Sequence, residues 1–365
     1  AKMTKRLILA INPGSTSTKV GLFDGKEEVM TRTVRHAIDV TGLTLPEQLP
    51  HREQEVRALL EETGIAVNDL TAIVGRGGLL APMTSGTYTV NDLMREDLTS
   101  GRFGMHASNL GGLIASKIGG AEGIPSFIVD PVVVDEMDEL ARKTGMPEIN
   151  RRSIFHALNQ KAVAKRFAAE NGSDYNELNL IVAHLGGGIT VGAHAAGRVI
   201  DVNNGLDGDG PLAPERAGSI PVGQVVELCY STRYKESEMK KKIVGQGGLF
   251  AHLGTFDAIE IEQRVESGDD EARLLYETMA YRVAQEISKH GATLCGRVDA
   301  ILLTGGIAYS EWLTEKIKER VTYLAPVHVY PGEDELKALA EGALRVIEKE
   351  ETARVYEGDT HGTRI

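Results

Sequence analysis

Between Asn12 and Lys19 the chain reads NPGSTSTK, which packs the four hydroxyl residues Ser15 to Thr18, free turn amides and one lysine into a tight reversal. These groups donate hydrogen bonds toward one point, a geometry that suits a polyanion. Taken alone, the segment also fits an ordinary Ser/Thr-rich hairpin turn. About half a chain later His184 opens a second turn, HLGGG, built on Gly186, Gly187 and Gly188. Three glycines let backbone N–H groups approach a phosphate without side-chain interference. The run lacks the spacing of a Walker loop or a dinucleotide fingerprint, so its weight comes from the pairing. Two phosphate-type turns suggest a duplicated domain gripping one nucleotide from both sides.

Each turn needs strands to hold it. The apolar runs Leu7–Ile11 and Val20–Phe23 flank the first, and LIVAHLGGGITV from Leu180 to Val191 repeats the plan. Elsewhere strand and helix signals alternate, which indicates α/β layers rather than a β-sandwich. Helical spacing covers Leu49–Thr63, His106–Ile118, Ser153–Glu170, Leu274–Gly291, Ser310–Val321 and Glu333–Glu350, while Thr71–Val74, Ser126–Val129 and Ala300–Leu303 read as strands. Residues 351–365 are polar and read as a surface tail.

A chain of 365 residues should form about two domains, each with its own core. A hydrophobic fraction of 42% with 41 glycines fits a globular α/β protein, and a net charge of −12 argues against a nucleic-acid groove. The densest basic run, Lys240-Lys241-Lys242, reads as a solvated helix face. Cys229 and Cys295 lie far apart with no metal-like spacing, as expected for reduced thiols of a cytoplasmic protein. No apolar stretch reaches the roughly 18 residues of a membrane span, and the N-terminus shows no signal-peptide core.

With both hairpins placed, the chain resembles the acetate and butyrate kinase family, within the actin, sugar-kinase and heat-shock-chaperone superfamily. INPGSTSTK at Ile11–Lys19 is similar to the family's first phosphate signature, in a spelling closer to the butyrate branch. VGRGG at Val74–Gly78, FGMHASN at Phe103–Asn109 and IVDPVVVDEM at Ile128–Met137 resemble the segments bearing a substrate-side arginine, a histidine and the active-site aspartate. RRSIFHALNQKAVAKR at Arg151–Arg166, HLGGG at His184–Gly188 and PERAGSIP at Pro214–Pro221 resemble a histidine-bearing helix start, the second phosphate turn and the second arginine segment. GGLFAHLGTFD at Gly247–Asp257 and LLTGGIAYS at Leu302–Ser310 resemble the two sides of the adenosine pocket. Two positions depart from acetate kinases: Gly187 replaces an asparagine, and Ala308-Tyr309-Ser310 stands where a metal-assisting glutamate is expected.

The resemblance implies two duplicated ribonuclease-H-like, actin-like domains with mixed sheets flanked by helices and the nucleotide in the interdomain cleft. Residues 1–150 with about 332–365 would form the acyl-substrate side, and 151–331 the nucleotide-binding side. It implies reversible ATP-dependent phosphorylation of butyrate, or a related short or branched-chain fatty acid, to acyl phosphate and ADP. Acetate or propionate as acceptor, or a nucleotide-driven actin- or chaperone-like ATPase, are the alternatives. Catalysis would fall to Arg76, Asp130, His156 and Arg216, with His106 between phosphate contact and structural support. ATP would be held by Asn12, Ser15, Ser17, Lys19, His184, Gly186, Gly187, Gly188, Asp257, Gly305 and Gly306, and Mg²⁺ by Asp130 and Asn12. The partners expected are a short-chain carboxylate, its acyl phosphate and further copies of the chain, as a homodimer or higher homo-oligomer, with no nucleic acid and no membrane.

Overall fold

The computed structural model describes residues 6–36 and 39–360. They form two compact units, one of the described residues up to 135 with 334–360, the other of 136–333. The segment 136–150, assigned from sequence to the first domain, belongs to the second unit. There the Asp138 N–H donates to Ile200 O at 3.0 Å, and Lys161 pairs with Glu136 at 2.8 Å.

The first unit is built on strands β1 (Leu7–Pro13), β2 (Ser17–Asp24), β3 (Glu27–Arg35), β4 (Leu70–Arg76), β5 (Thr87–Thr89) and β6 (Ser126–Val129). Its seven-stranded sheet runs Arg354–Val355, β5, β6, β4, β1, β2, β3. Strands β1, β4 and β6 are parallel neighbours, while β1, β2 and β3 form an antiparallel meander. Helices Asn109–Gly120 and Glu335–Ile347 pack on β4 and β1. Burial on both faces explains why β1 reads as an unbroken apolar run rather than an alternating one. Helix Glu335–Ile347 is capped by Asp334, whose carboxylate accepts from Lys337 N, and it buries Leu336, Leu339, Ala343 and Leu344.

The polar tail is in part structural. Arg354–Val355 pairs with β5, and Tyr356 is buried with its hydroxyl donating to Asp97 Oδ2 at 2.8 Å and accepting from Ala81 N at 3.1 Å. Positions 361–365 lie outside the described residues.

The second unit carries β7 (Asn179–Leu185), β8 (Ile189–Ala195), β9 (Arg198–Val202), β10 (Ala300–Gly305) and β11 (Val327–Pro331). Its order, β11-β10-β7-β8-β9, repeats β6-β4-β1-β2-β3 of the first unit with the same parallel and antiparallel pairings. The duplication inferred from two phosphate-type turns therefore extends to the whole sheet core. Helix Asp270–Thr293 buries Tyr276, Met279, Val283 and Ile287 against it, and Tyr276 stacks on Trp312 at 5.1 Å. Helix Ala157–Glu170 starts four residues later than its periodicity suggests. The preceding backbone is committed elsewhere, with Gly205 N donating to Ile154 O at 2.9 Å. Lys240, Lys241 and Lys242 are exposed on helix Glu236–Ile243, and no described helix is long and apolar enough to cross a membrane.

Two fully buried histidines make this unit acid-sensitive. Burial holds His194 well below the ordinary histidine range and His290 below it, so both are neutral in the fold. The unfolded chain binds those protons from about pH 6.5 downward, so stability is complete above that pH and is lost as pH falls below it. Urea unfolding followed between pH 7.5 and 5 should show the second unit weakening by up to about 1.4 kcal/mol per pH unit for each histidine.

Candidate active site

In the first unit the candidate groups hang from the C-terminal ends of neighbouring parallel strands. Asn12 lies near the end of β1, Arg76 ends β4 and Asp130 follows β6. The register pairs Ile11 with Gly75 and Arg76 with Val129, which brings the three positions to one edge. Open α/β sheets bind ligands at such carboxyl ends. Glu335, the first residue of its helix, completes the cluster: its Oε2 accepts from Asn12 Nδ2 at 2.9 Å and pairs with Arg76 Nη1 at 3.0 Å. The family resemblance points to a metal-assisting glutamate after Gly306, where this chain has none, and gives no sign of Glu335. Glu311, near that position, is an exposed residue of a helix first turn. The available signal was a second acidic residue immediately after the Asp334 cap.

Asp130 is buried and adopts φ of 40°, a left-handed conformation in the residue before a proline. Extended backbone with negative φ is the norm there, so the geometry is strained. Three bonds hold it: Ser85 Oγ donates to Oδ1 at 2.6 Å, Gly86 N donates to the same oxygen at 2.8 Å, and Asp130 N donates to Gly86 O at 3.1 Å. His106 lies close enough to Arg76 that its pKa is lowered, first by desolvation and then by the guanidinium charge. Its Nδ1 accepts from Ser108 N at 3.1 Å, so the neutral ring carries its proton on Nε2. Among the apolar candidates for an acyl pocket, Leu80 is buried, Leu79 and Val132 are half-buried, and Pro82 is exposed.

The first phosphate-type turn closes with Gly14 N donating to Ser17 O at 2.8 Å and leaves Ser15 and Lys19 exposed. Beneath it lies Arg52, fully buried, donating to Ser17 O, Thr18 Oγ1 and Ser15 O at 3.2 to 3.3 Å and to Gln48 Oε1. Its burial lowers the guanidinium pKa, and the charge of Glu55 opposes that. Arg52 was not singled out from sequence, yet Gln48, Arg52, Val56 and Leu60 form one buried helical stripe.

In the second unit the corresponding edge carries His184 on β7 and Thr304–Gly306 at the end of β10. His184 is buried and stacks on His156 at 3.9 Å with an interplanar angle of 10°. Asn159 Nδ2 donates to His184 Nδ1 at 2.8 Å and to Thr304 Oγ1 at 3.2 Å, so the His184 proton is on Nε2, 3.5 Å from Glu333 Oε2. The glycine turn closes more tightly in sequence than the first one, with Gly186 N donating to Gly188 O, two residues on, at 3.1 Å. Arg216 lies directly against it, donating from Nη1 to Gly205 O at 2.7 Å, and burial lowers its pKa. A Cβ on Gly188 would come within 2.1 Å of the Arg216 guanidinium carbon. Gly305 and Gly332 exchange two backbone hydrogen bonds at 3.0 and 2.7 Å. The Asp257 carboxylate is used locally, capping helix Ala258–Glu266 through Ile259 N at 3.0 Å.

No described cluster joins three or more His, Cys, Asp or Glu side chains as a closed metal cage. Asp130, Glu335 and the Asn12 amide oxygen instead offer two carboxylates and one neutral oxygen at one strand edge. That donor set suits a hard divalent cation completing its shell with water and substrate phosphate, where it would neutralise phosphoryl charge.

A sequence model of the acetokinase family matches residues 139–355, more than half the chain. The chain belongs to the acetokinase family. Acetokinases are carboxylate kinases that use ATP and a divalent metal ion. Acetate kinase from Porphyromonas gingivalis superimposes with a TM-score of 0.76 at 18% identity, over 94% of this chain and 100% of that one. A propionate kinase from Francisella tularensis gives 0.74 at 19%, over 92% and 98%. The ROK hexokinase of Thermus thermophilus follows at 0.52 and 16%, over 94% and 99%. These likenesses show the two-domain, actin-like fold that the duplicated sheets also display.

For this acetokinase, the Gly188–Arg216 contact gives a direct test of the second-unit cluster. Gly188→Ala should push the guanidinium off Gly205 O and lower acyl phosphate formation by roughly 100-fold. The melting temperature should move by no more than about 3 °C, since one side-chain bond, Arg216 to Gly205 O, is exchanged and no core residue is altered. Steady-state kinetics with a thermal melt check both.

Proposed function

We propose that this acetokinase phosphorylates butyrate, or a short or branched-chain relative, by direct in-line transfer from MgATP, reversibly. The observation that carries the reading is the Asn12–Glu335–Arg76 cluster at the strand edge that Asp130 also ends, which combines carboxylate and amide oxygens with a guanidinium. The INPGSTSTK spelling supports butyrate over shorter acids. Acetate or propionate is the second reading, favoured by the structural likeness to kinases of those two acids.

A carboxylate acceptor, with a pKa of about 4–5, is already ionised at neutral pH and needs no general base. The obstacle is charge: an anion must approach the γ-phosphate of ATP. Cations and hydrogen-bond donors around the phosphoryl group therefore supply the catalysis. In our reading Arg76 and Arg216 bind carboxylate and phosphoryl oxygens, with planar, forked donors that lysine cannot copy. His156 and His184 donate to phosphoryl oxygens. Asn12, Ser15, Ser17, Lys19 and the backbone of Gly186–Gly188 hold ATP phosphates, with Gly305 and Gly306 beside the adenosine. Asp130, Glu335 and Asn12 hold Mg²⁺ and its waters.

Trapping acyl phosphate with hydroxylamine, using acetate, propionate, butyrate and isobutyrate in turn, tests the reading. Acyl hydroxamate should form from all, and fastest from a four-carbon acid. A preference for acetate moves the chain to the second reading, and no hydroxamate from any acid at millimolar concentration removes both.

Asp130→Asn separates metal support from proton abstraction. The amide oxygen that replaces Asp130 Oδ1 can still accept from Ser85 and Gly86, so the strained loop survives and only the charge is lost. Turnover should fall by roughly 100-fold or more with the carboxylate KM little changed. Raising Mg²⁺ or Mn²⁺ should recover part of it. A general base would give a defect that metal does not relieve.

A further inference from the structure

Behind His156 runs a chain of buried polar groups that the roles above do not use. Tyr175 Oη lies 2.7 Å from His194 Nδ1, and His194 Nε2 lies 3.0 Å from Gln160 Oε1. Gln160 Nε2 reaches Thr190 O at 3.1 Å and Thr190 Oγ1 at 3.0 Å, and Thr190 Oγ1 reaches His156 Nδ1 at 2.9 Å. Gln160, Thr190 and His194 are fully buried.

One backbone carbonyl fixes the direction of the bonds from Gln160 back to Tyr175. Thr190 O can only accept, so the Gln160 atom facing it must be the amide nitrogen. The Gln160 oxygen then faces His194 and can only accept, which puts the His194 proton on Nε2. Its Nδ1 is left to accept from the Tyr175 hydroxyl. The low pKa that burial gives His194 agrees with this single neutral tautomer. At the other end, Thr190 Oγ1 accepts from Gln160 Nε2 and, more weakly, from His156 N at 3.4 Å. A hydroxyl has two acceptor sites and one proton. With both acceptor sites taken, the Thr190 hydroxyl must donate to His156 Nδ1.

We propose that this relay, Tyr175 to His194 to Gln160 to Thr190, presets His156 as an Nε2–H donor, so that Thr190 and Gln160 are positioning residues for phosphoryl transfer. The inference rests on the role of His156 in the proposed function. A donor already oriented in the resting protein needs no ring flip or tautomer change when charge develops on a phosphoryl oxygen. His184, stacked on His156, has its proton set on Nε2 by Asn159 in the same way. Gly192 lies opposite the relay: a Cβ there would come within 2.6 Å of Gln160 Oε1. The absent side chain is what lets the amide reach His194.

Three variants and two measurements test the relay. Thr190→Val removes the hydroxyl at nearly constant volume, and Thr190→Ser restores it. Gly192→Ala displaces Gln160 without removing any relay side chain. Nitrogen-15 NMR of the histidine rings in the resting protein, assigned through a His156→Gln control, reads the His156 tautomer without turnover. It therefore tests the relay even if carboxylate phosphorylation fails. Wild type and Thr190→Ser should show the Nε2–H form alone, and Thr190→Val and Gly192→Ala a mixture of tautomers. In hydroxamate kinetics Thr190→Val should lower kcat by roughly 10- to 100-fold with the carboxylate KM within about twofold, and Thr190→Ser should recover most of it. If Thr190→Val does not fold, Gly192→Ala carries both readouts. An Nδ1–H or mixed His156 in wild type, or Thr190→Val or Gly192→Ala with wild-type tautomer and kcat, overturns the proposal.

Discussion

Parallel strands that end side by side are the constraint from which the rest of this structure follows. In each unit three adjacent strands, β6-β4-β1 and β11-β10-β7, finish at one edge, and a hairpin turn closes the innermost of them onto its antiparallel neighbour. Strands in a sheet lie about 4.8 Å apart, so side chains from three consecutive ends fall within a span comparable to a polyphosphate. β1, β4, β6, β7 and β10 are buried along nearly their whole length, which makes them mostly apolar and puts most of their polar groups at the ends. Asn12, Arg76, Asp130 and His184 all occupy such positions. The candidate groups of both units thus gather where the buried strands end.

That confinement obliges the fold to satisfy buried polar atoms behind the edge. Burying an unpaired polar group costs on the order of 1–3 kcal/mol, and a charge costs more. The structure meets the demand with networks rather than isolated pairs. Arg52, fully buried beneath the first turn, bonds mainly neutral oxygens of Ser15, Ser17, Thr18 and Gln48. Lys161 is held by Glu136 and the carbonyl of Gly197. In the second unit two side-chain amides, Asn159 and Gln160, take adjacent positions on one helix and each fixes one ring of the stacked histidine pair. Networks of this kind are costly when half-satisfied, which ties the geometry at the edge to residues well behind it.

Local signals carried the architecture. The strand–turn–strand patterns at Leu7–Phe23 and Leu180–Val191 stand where they were read, and Ser126–Val129 is a strand over the same four residues. Less legible were features decided by distant partners. The helix read from Ser153 begins at Ala157 because Ile154 bonds Gly205. The segment 351–360 looks like a tail by composition, yet Arg354–Val355 finds a sheet edge and Tyr356 a buried socket more than two hundred residues away in sequence. Arg52 was hidden by its charge: its spacing with Val56 and Leu60 places it on the core face, but arginine is ordinarily assigned to the solvent face.

Glu335 shows where motif reading stops. A glutamate two residues after Glu333 and one after a capping aspartate carries only its place beside the cap as a signal, and that is shared with a run of acidic residues. Chain return supplies the distinction, because helix Glu335–Ile347 leaves the second unit's sequence behind and packs on β1 of the first. Its opening residue is thereby delivered to the strand edge, where a single oxygen accepts from Asn12 and pairs with Arg76. One carboxylate shared by an amide donor and a guanidinium couples their positions, since any cation or anion that draws on one alters the bonding of the other two. The cluster therefore behaves as one electrostatic unit, assembled from residues near position 12, near 76 and near 335 that no local sequence window contains together.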